Sequence, residues 1–159
     1  MNSFQLDSLQ LKMCDIQGRL FELSGKENIP SGLFIKTFMN SEVAKGLDST
    51  YNKLQWMGEE YLLEEVKDAL QPKEAGRPSG VIESTAHYGD VLSLDVLYWI
   101  GYIYRYWHYY TGEDSPKILK QAPVPTMKRN YMMFHTMDPI IAIEDLKEIY
   151  YQKSQKANI

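Results

Sequence analysis

An all-α, single-domain helical bundle is what this sequence predicts, and three features carry that reading. Apolar residues recur at steps of three and four along much of the chain, as in Leu9, Met13, Ile16, Leu20 and Leu23. A stretch of about twenty residues, 91–110, is rich in aromatic side chains and has no turn signal, which is too long for an average strand. Cap residues stand directly before proline in Ser115-Pro116 and Asp138-Pro139, an arrangement that starts helices. The bundle is expected to be irregular and to be organised around the aromatic helix.

Residues 5–23, the first element, form an amphipathic helix that Ser24 and Gly25 can end. Pro30 and Ser31 open a second helix with Phe34 and Phe38 one turn apart, and Ser41 with Glu42 starts a short third that runs to Leu47. Asp48 or Ser49 can cap the next element, whose stripe of Leu54, Met57, Tyr61, Leu62, Val66 and Leu70 stops before Pro72. Its outer face carries Glu59, Glu60, Glu64, Glu65 and Asp68 against Lys67. Pro72, Gly76, Pro78, Gly80 and Gly89 break every periodicity, so 71–89 reads as a flexible surface loop in which Val81 and Ile82 can add a short strand. Asp90 then caps the aromatic helix, which Thr111 and Gly112 end. KILKQA comes after Pro116, Pro123 and Pro125 impose a break, and Thr126 can cap MKRNYMMF. A last stripe of Ile140, Ile143, Leu146, Ile149 and Tyr150 leads into a tail, 154–159, that is expected to fray.

Composition narrows the function classes. A chain of 159 residues with 44% apolar and 24% charged residues has the balance of one globular domain. Its formal charge of −4 disfavours general attraction to a nucleic-acid backbone. A single cysteine, Cys14, allows no intrachain disulfide and no cysteine-based zinc cage, which suits a reducing cytoplasm. No secretory signal pattern opens the chain, and no apolar run is long enough to span a bilayer. The expectation is a cytoplasmic protein without a membrane segment, able to form a homo-oligomer where apolar stripes are left over.

Residues 98–110, YWIGYIYRYWHYY, hold six of the chain's 12 tyrosines and two of its 3 tryptophans. Tyr102, Arg105 and Tyr109 share one helical face, so a guanidinium can sit between two rings and grip an anion or a planar ligand. His135 and Asp138 are near enough in FHTMDP to join such a pocket, although Asp138 before Pro139 also serves as a helix cap. The competing reading of the aromatic helix is plain core, with Arg105 neutralised by an internal carboxylate. Gly101, mid-helix, points to close packing.

His87, His108 and His135 are scattered and form no metal-ligand pattern, and no metal or cofactor is expected. Ser84, Thr85 and His87 lack the context of a hydrolase triad, and neither GxGxxG nor GxxxxGK[ST] occurs, so no catalytic residue is assigned. Lys117, Lys120, Lys128 and Arg129 form a locally basic stretch that could meet phosphates or an acidic protein face. Set against Glu59, Glu60, Glu64 and Glu65, it gives the molecule two electrical faces, which suits a protein partner better than nucleic acid. A DNA-binding regulator would need a basic recognition helix, and the two prolines interrupt the only basic stretch.

Three segments, FMNSEVAKGLD at 38–48, LYWIGYIYRYW at 97–107 and FHTMDPIIAIEDL at 134–146, resemble a family of small, largely uncharacterised bacterial proteins. Members of that family look like accessory components of toxin–antitoxin-type operons, beside ADP-ribosyltransferase-like toxins. The resemblance spans most of the chain and implies a setting, without catalytic residues to carry over. That setting, taken with the lack of a catalytic constellation and with the acidic helix, leads to the expectation of a non-enzymatic interaction module, an antitoxin or toxin-regulating protein that covers a toxin-like partner's cleft. The alternative is a small-ligand or nucleotide-binding protein, with or without catalysis, built on Tyr102, Arg105, Tyr109, His135 and Asp138.

Overall fold

The computed structural model describes residues 4–70 and 89–157, and all regular structure in them is helical. The elements are α1 (Ser8–Lys26), α2 (Ser31–Met39), α3 (Glu42–Asp48), a 3-10 turn (Lys53–Trp56), α4 (Glu59–Leu70), α5 (Leu94–Thr111), α6 (Ser115–Gln121), α7 (Val124–Phe134) and α8 (Pro139–Ala157). The predicted all-α bundle is therefore the observed one, with α5 as its buried axis. The 71–88 part of the expected loop, with its possible strand at Val81 and Ile82, lies outside the described residues.

Helix α1 begins on a capping box, in which Asp7 accepts from the Gln10 amide at 2.8 Å and the Gln10 side chain accepts from the Asp7 amide at 2.9 Å. It passes through Ser24 and Gly25, where the sequence placed its end. Ser24 turns its hydroxyl back onto the Phe21 carbonyl at 2.6 Å, and Gly25 is a packing position. The real stop is Asn28, at φ 60°: its amide donates to the Gly25 carbonyl and the Ile29 amide to the Ser24 carbonyl, which satisfies the last carbonyls of the helix. Asparagine tolerates this left-handed backbone better than most residues.

Other boundaries move for similar local reasons. Asp48 ends α3 instead of capping the next element, and Asn52 caps the 3-10 turn through the Leu54 amide at 2.9 Å. Within α4 the buried face is Leu62, Leu63 and Val66, so Tyr61 lies outward from the stripe assigned to it. Ser93, not Asp90, is the cap of α5, because the approach to the helix is held extended by the Leu92 amide donating to the Ser31 hydroxyl at 2.9 Å. Gly112, at φ 79°, ends α5 as expected. Asp114 rather than Ser115 caps α6, and α7 starts at Val124, so Thr126 is buried inside it. Asp138 does cap α8, accepting from the Ile140 amide at 2.8 Å. The expected fraying from 154 is not seen through Ala157; Asn158 and Ile159 lie outside the described residues.

Helices α1 and α5 form the heart of the bundle and run antiparallel: Gly25 meets Leu94 and Leu97, Gly18 meets Tyr98, Gln17 meets Gly101 and Arg105, and Phe4 reaches Tyr106 and Tyr110. Phe21 fills the centre, edge-on to Phe34, Phe38 and Tyr104 at ring separations of 5.6, 5.4 and 6.2 Å. Such edge-to-face pairs add about 0.5–1.5 kcal/mol each beyond burial of their area. On the far side of α5, Trp107 is fully buried and Tyr104 donates to the Ala122 carbonyl at 2.5 Å, tying in the end of α6.

Close approach explains Gly101. A Cβ there would sit 2.5 Å from the Gln17 carbonyl oxygen and 2.9 Å from the Phe21 ring, and the first of these is backbone that cannot rotate away. Gly101→Ala gains about 1 kcal/mol of helix propensity, yet it is expected to lower stability by a net 1–3 kcal/mol or so, because overpacking a tight interface costs more. Denaturant unfolding of the variant checks this, and a midpoint at or above that of the parent would contradict the packing account.

Candidate functional site

Arg105 lies on the α1 side of α5 with only 1% of its side chain exposed. Its Nε donates to the Gln17 Oε1 at 2.8 Å and its Nη1 to the Asp48 Oδ1 at 2.8 Å. Asp48 also accepts from the Ser115 amide at 2.8 Å and the Ser115 hydroxyl at 2.9 Å, and His108 Nδ1 stands 3.7 Å from it. Gln17 completes the circuit by donating to the Gly101 carbonyl at 3.0 Å. The Arg105 Nη2 has no hydrogen-bond partner among the described residues, an omission that costs about 1–3 kcal/mol. This network joins α1, α3, α5 and α6 and reads as the internal neutralisation of a buried charge.

The five residues assigned to a pocket are therefore distributed over different surroundings. Arg105 faces inward to Asp48. Tyr109 is half-buried with its ring edge-on to His108 at 5.4 Å, and Asp138 is exposed as the α8 cap. Tyr102 and His135 do meet, but in another place. They line a cleft of about 480 Å³ together with Glu22 from α1, Asp95, Tyr98, Trp99 and Ile103 from α5, Tyr131 from α7, and Met137 and Pro139 beyond it. In this cleft Trp99 is edge-on to Tyr131 at 5.6 Å, and Tyr131 stacks on His135 at 4.3 Å. His135 Nδ1 is 2.8 Å from the Tyr131 carbonyl, so it is the protonated nitrogen and leaves Nε2 as the acceptor of the neutral ring.

A second polar centre, unforeseen in the sequence, surrounds Glu113 just after α5. Its carboxylate accepts from the Trp107 indole at 2.8 Å, from Lys147 at 2.9 Å and from Gln121 at 3.1 Å, with Lys117 at 3.5 Å. Partial burial alone would raise its pKa, but those donors outweigh it and hold the carboxyl down at about 2. Lys147 also lies over the Trp107 ring, 5.7 Å from its centroid. Cys14 is buried, and burial pushes its thiol up to about 12 despite the nearby Arg105 charge, so it carries no thiolate at neutral pH.

The charged surfaces lie elsewhere. Glu60, Glu64 and Glu65 of α4 are exposed and Glu59 is half-exposed, while Lys67 bridges Glu64 at 3.3 Å and Glu27, just past the end of α1, at 2.6 Å. Close by in the chain, Trp56 is 77% exposed and Tyr51 90% exposed. Of the basic residues, Lys117 and Lys120 belong to α6 and Lys128 and Arg129 to α7, and all four are exposed. No group of histidine, cysteine and carboxylate side chains suited to a metal ion occurs among the described residues. Ser84, Thr85 and His87 lie outside them.

Gln17 had a visible signal, being a polar residue inside an otherwise apolar helical stripe. Glu113 and Asp48 had none, since each reads as a surface or cap residue until its distant partners are in place.

Two outcomes are expected from these centres. Asp48→Ala should destabilise by about 3–5 kcal/mol, because it leaves the Arg105 charge buried and alone. Asp48→Ala with Arg105→Met should cost clearly less than the sum of the single changes, and simple additivity in chemical denaturation would count against the pairing. The folded protein keeps Glu113 ionised down to about pH 2, whereas the unfolded chain takes up the proton near the ordinary value of 4.5. Its contribution is therefore complete above that value and drains away as acid is added through this interval. Glu113→Gln should flatten the decline between those two pH values in thermal-melt profiles.

Comparison with known protein families, with curated proteins and with solved structures finds no match to this chain.

Proposed function

We propose that this protein is a non-enzymatic interaction module, an antitoxin or toxin-regulating component that occupies the basic cleft of a toxin-like partner in the cytoplasm. The observation that carries this reading is the exposed pair Tyr51 and Trp56 leading directly into the acidic helix α4. Trp and Tyr are among the residues most often found at the energetic centre of protein interfaces. Glu60, Glu64 and Glu65 add a field of one sign beside them, which steers an oppositely charged partner into register. The interior supports the same reading, because Arg105 and Asp48 neutralise each other inside the bundle.

The resemblance drawn from residues 38–48, 97–107 and 134–146 supplies the partner class, an ADP-ribosyltransferase-like toxin. On this reading the protein acts by blocking access to the partner's site, and no bond is made or broken on its own residues. No helix of the described residues is long and apolar enough to cross a membrane, which is compatible with the proposed setting.

Co-expression with the neighbouring toxin should restore growth, and the two proteins should co-elute in size exclusion. Trp56→Ala should weaken the complex by about tenfold or more, and Glu60→Gln with Glu65→Gln should mainly slow association and reduce its salt dependence. Undiminished toxicity together with separate elution would remove the proposal.

A further inference from the structure

The cleft between α1, α5 and α7 has a chemistry that neither the internal network nor the α4 surface uses. Its walls are aromatic: Tyr98, Trp99, Tyr102 and Tyr131, with His135 stacked on the last. Its ionisable lining, apart from His135 and the tyrosines, consists of two carboxylates, Glu22 and Asp95, and no lysine or arginine among the described residues lines it. Aromatic faces carry partial negative charge, so several of them around carboxylates form an environment selective for cations that also have apolar surface. An inorganic cation keeps its hydration shell and gains little from such walls, while an alkylammonium group does not. The cleft volume of about 480 Å³ falls within the range that accepts small organic molecules.

The neighbouring charges are arranged compatibly. The Tyr98 hydroxyl donates to Asp15, which enriches its ring in electron density, and Asp15 in turn holds Arg19 at 2.9 Å, outside the lining. Glu22 is only loosely engaged, with Lys26 one turn away on the exposed side of α1 at 3.7 Å. Trp99 and Tyr131 fix each other edge to face, so the walls are formed before anything binds. The His135 Nε2 adds an acceptor for an ammonium or hydroxyl proton.

We propose that this cleft is a binding site for a small organic cation of the alkylammonium class, held by Trp99, Tyr102 and Tyr131 through their ring faces and by Glu22 and Asp95 through charge. The site is independent of the partner surface on α4.

The probe is choline, compared with 3,3-dimethyl-1-butanol, which has the same shape without the charge, and with sodium chloride for ionic strength. Titration of the full chain is followed by NMR through the indole N–H of Trp99, Trp56 and Trp107 and the ring signals of Tyr131 and His135. Choline should give saturable shifts at Trp99, Tyr131 and His135 and none of comparable size at Trp56 and Trp107, and the neutral alcohol should bind at least about tenfold more weakly. Glu22→Gln with Asp95→Asn, both on the surface side of their helices, should weaken choline by about tenfold with the spectrum otherwise intact, and Tyr131→Leu should do the same. Equal binding of the alcohol, undiminished binding by the neutralised variant, or no saturable response up to roughly 100 mM choline would each overturn the assignment.

Discussion

The Arg105 guanidinium, closed off from water in the middle of the bundle, can be tolerated only where an anion and further acceptors converge on it. That requirement draws together parts of the chain that are remote in sequence: Gln17 of α1, Asp48 at the end of α3 and, through Asp48, Ser115 at the start of α6. None of these elements can slide or rotate without uncovering charge in a place that water does not reach. The hydrophobic contacts of Phe21, Phe34 and Phe38 supply more free energy, but they are non-directional and would accept neighbouring registers. The polar circuit selects one.

Around that circuit the aromatic helix has two different sides. Toward α1 and α6 its residues are sealed: Ile100, Tyr104 and Trp107 have almost no exposed surface. Toward α7 and the start of α8, Tyr98, Trp99 and Tyr102 keep part of their rings at the wall of the cleft. Tyrosine and tryptophan suit this double duty because each combines a large apolar body with a polar atom that tolerates partial wetting. A helix built from leucine would fill the interior equally well and leave a merely greasy groove on the other side.

The architecture was largely readable from the chain, because helical periodicity and cap chemistry are local. Ser41, Asp138 and Gly112 act where their residue types suggested. The errors in boundaries arose where tertiary contacts reassign a residue with a good local role. Asp48 looks like a cap and is the counter-ion of Arg105; Gly25 looks like a stop and is a contact point for Leu97; Asp90 looks like a cap but is displaced by the tie between Leu92 and Ser31. The candidate site was less legible. Tyr102 and His135 come together in the structure, but Glu22, Asp95 and Tyr131 join them from three helices, and sequence spacing says nothing of that meeting. Arg105 lies one three-residue step, about 60° around the helix, from Tyr102, and that offset directs it to Gln17 and Asp48 instead of to the cleft.

The antiparallel pairing of α1 with α5 joins residues 84 apart in sequence, as in Gln17 with Gly101. At translation speeds of about 5–20 residues per second, α1 waits on the order of ten seconds during synthesis before its main packing surface has been made. Through that interval Phe21 and Leu20, with α2 and α4 as the packing partners already made, still present to water the greasy surface that α5 will cover. Assembly on the ribosome is thus a late event, completed when the aromatic rod arrives, and the nascent chain's vulnerability to aggregation or to chaperone capture is concentrated before that moment.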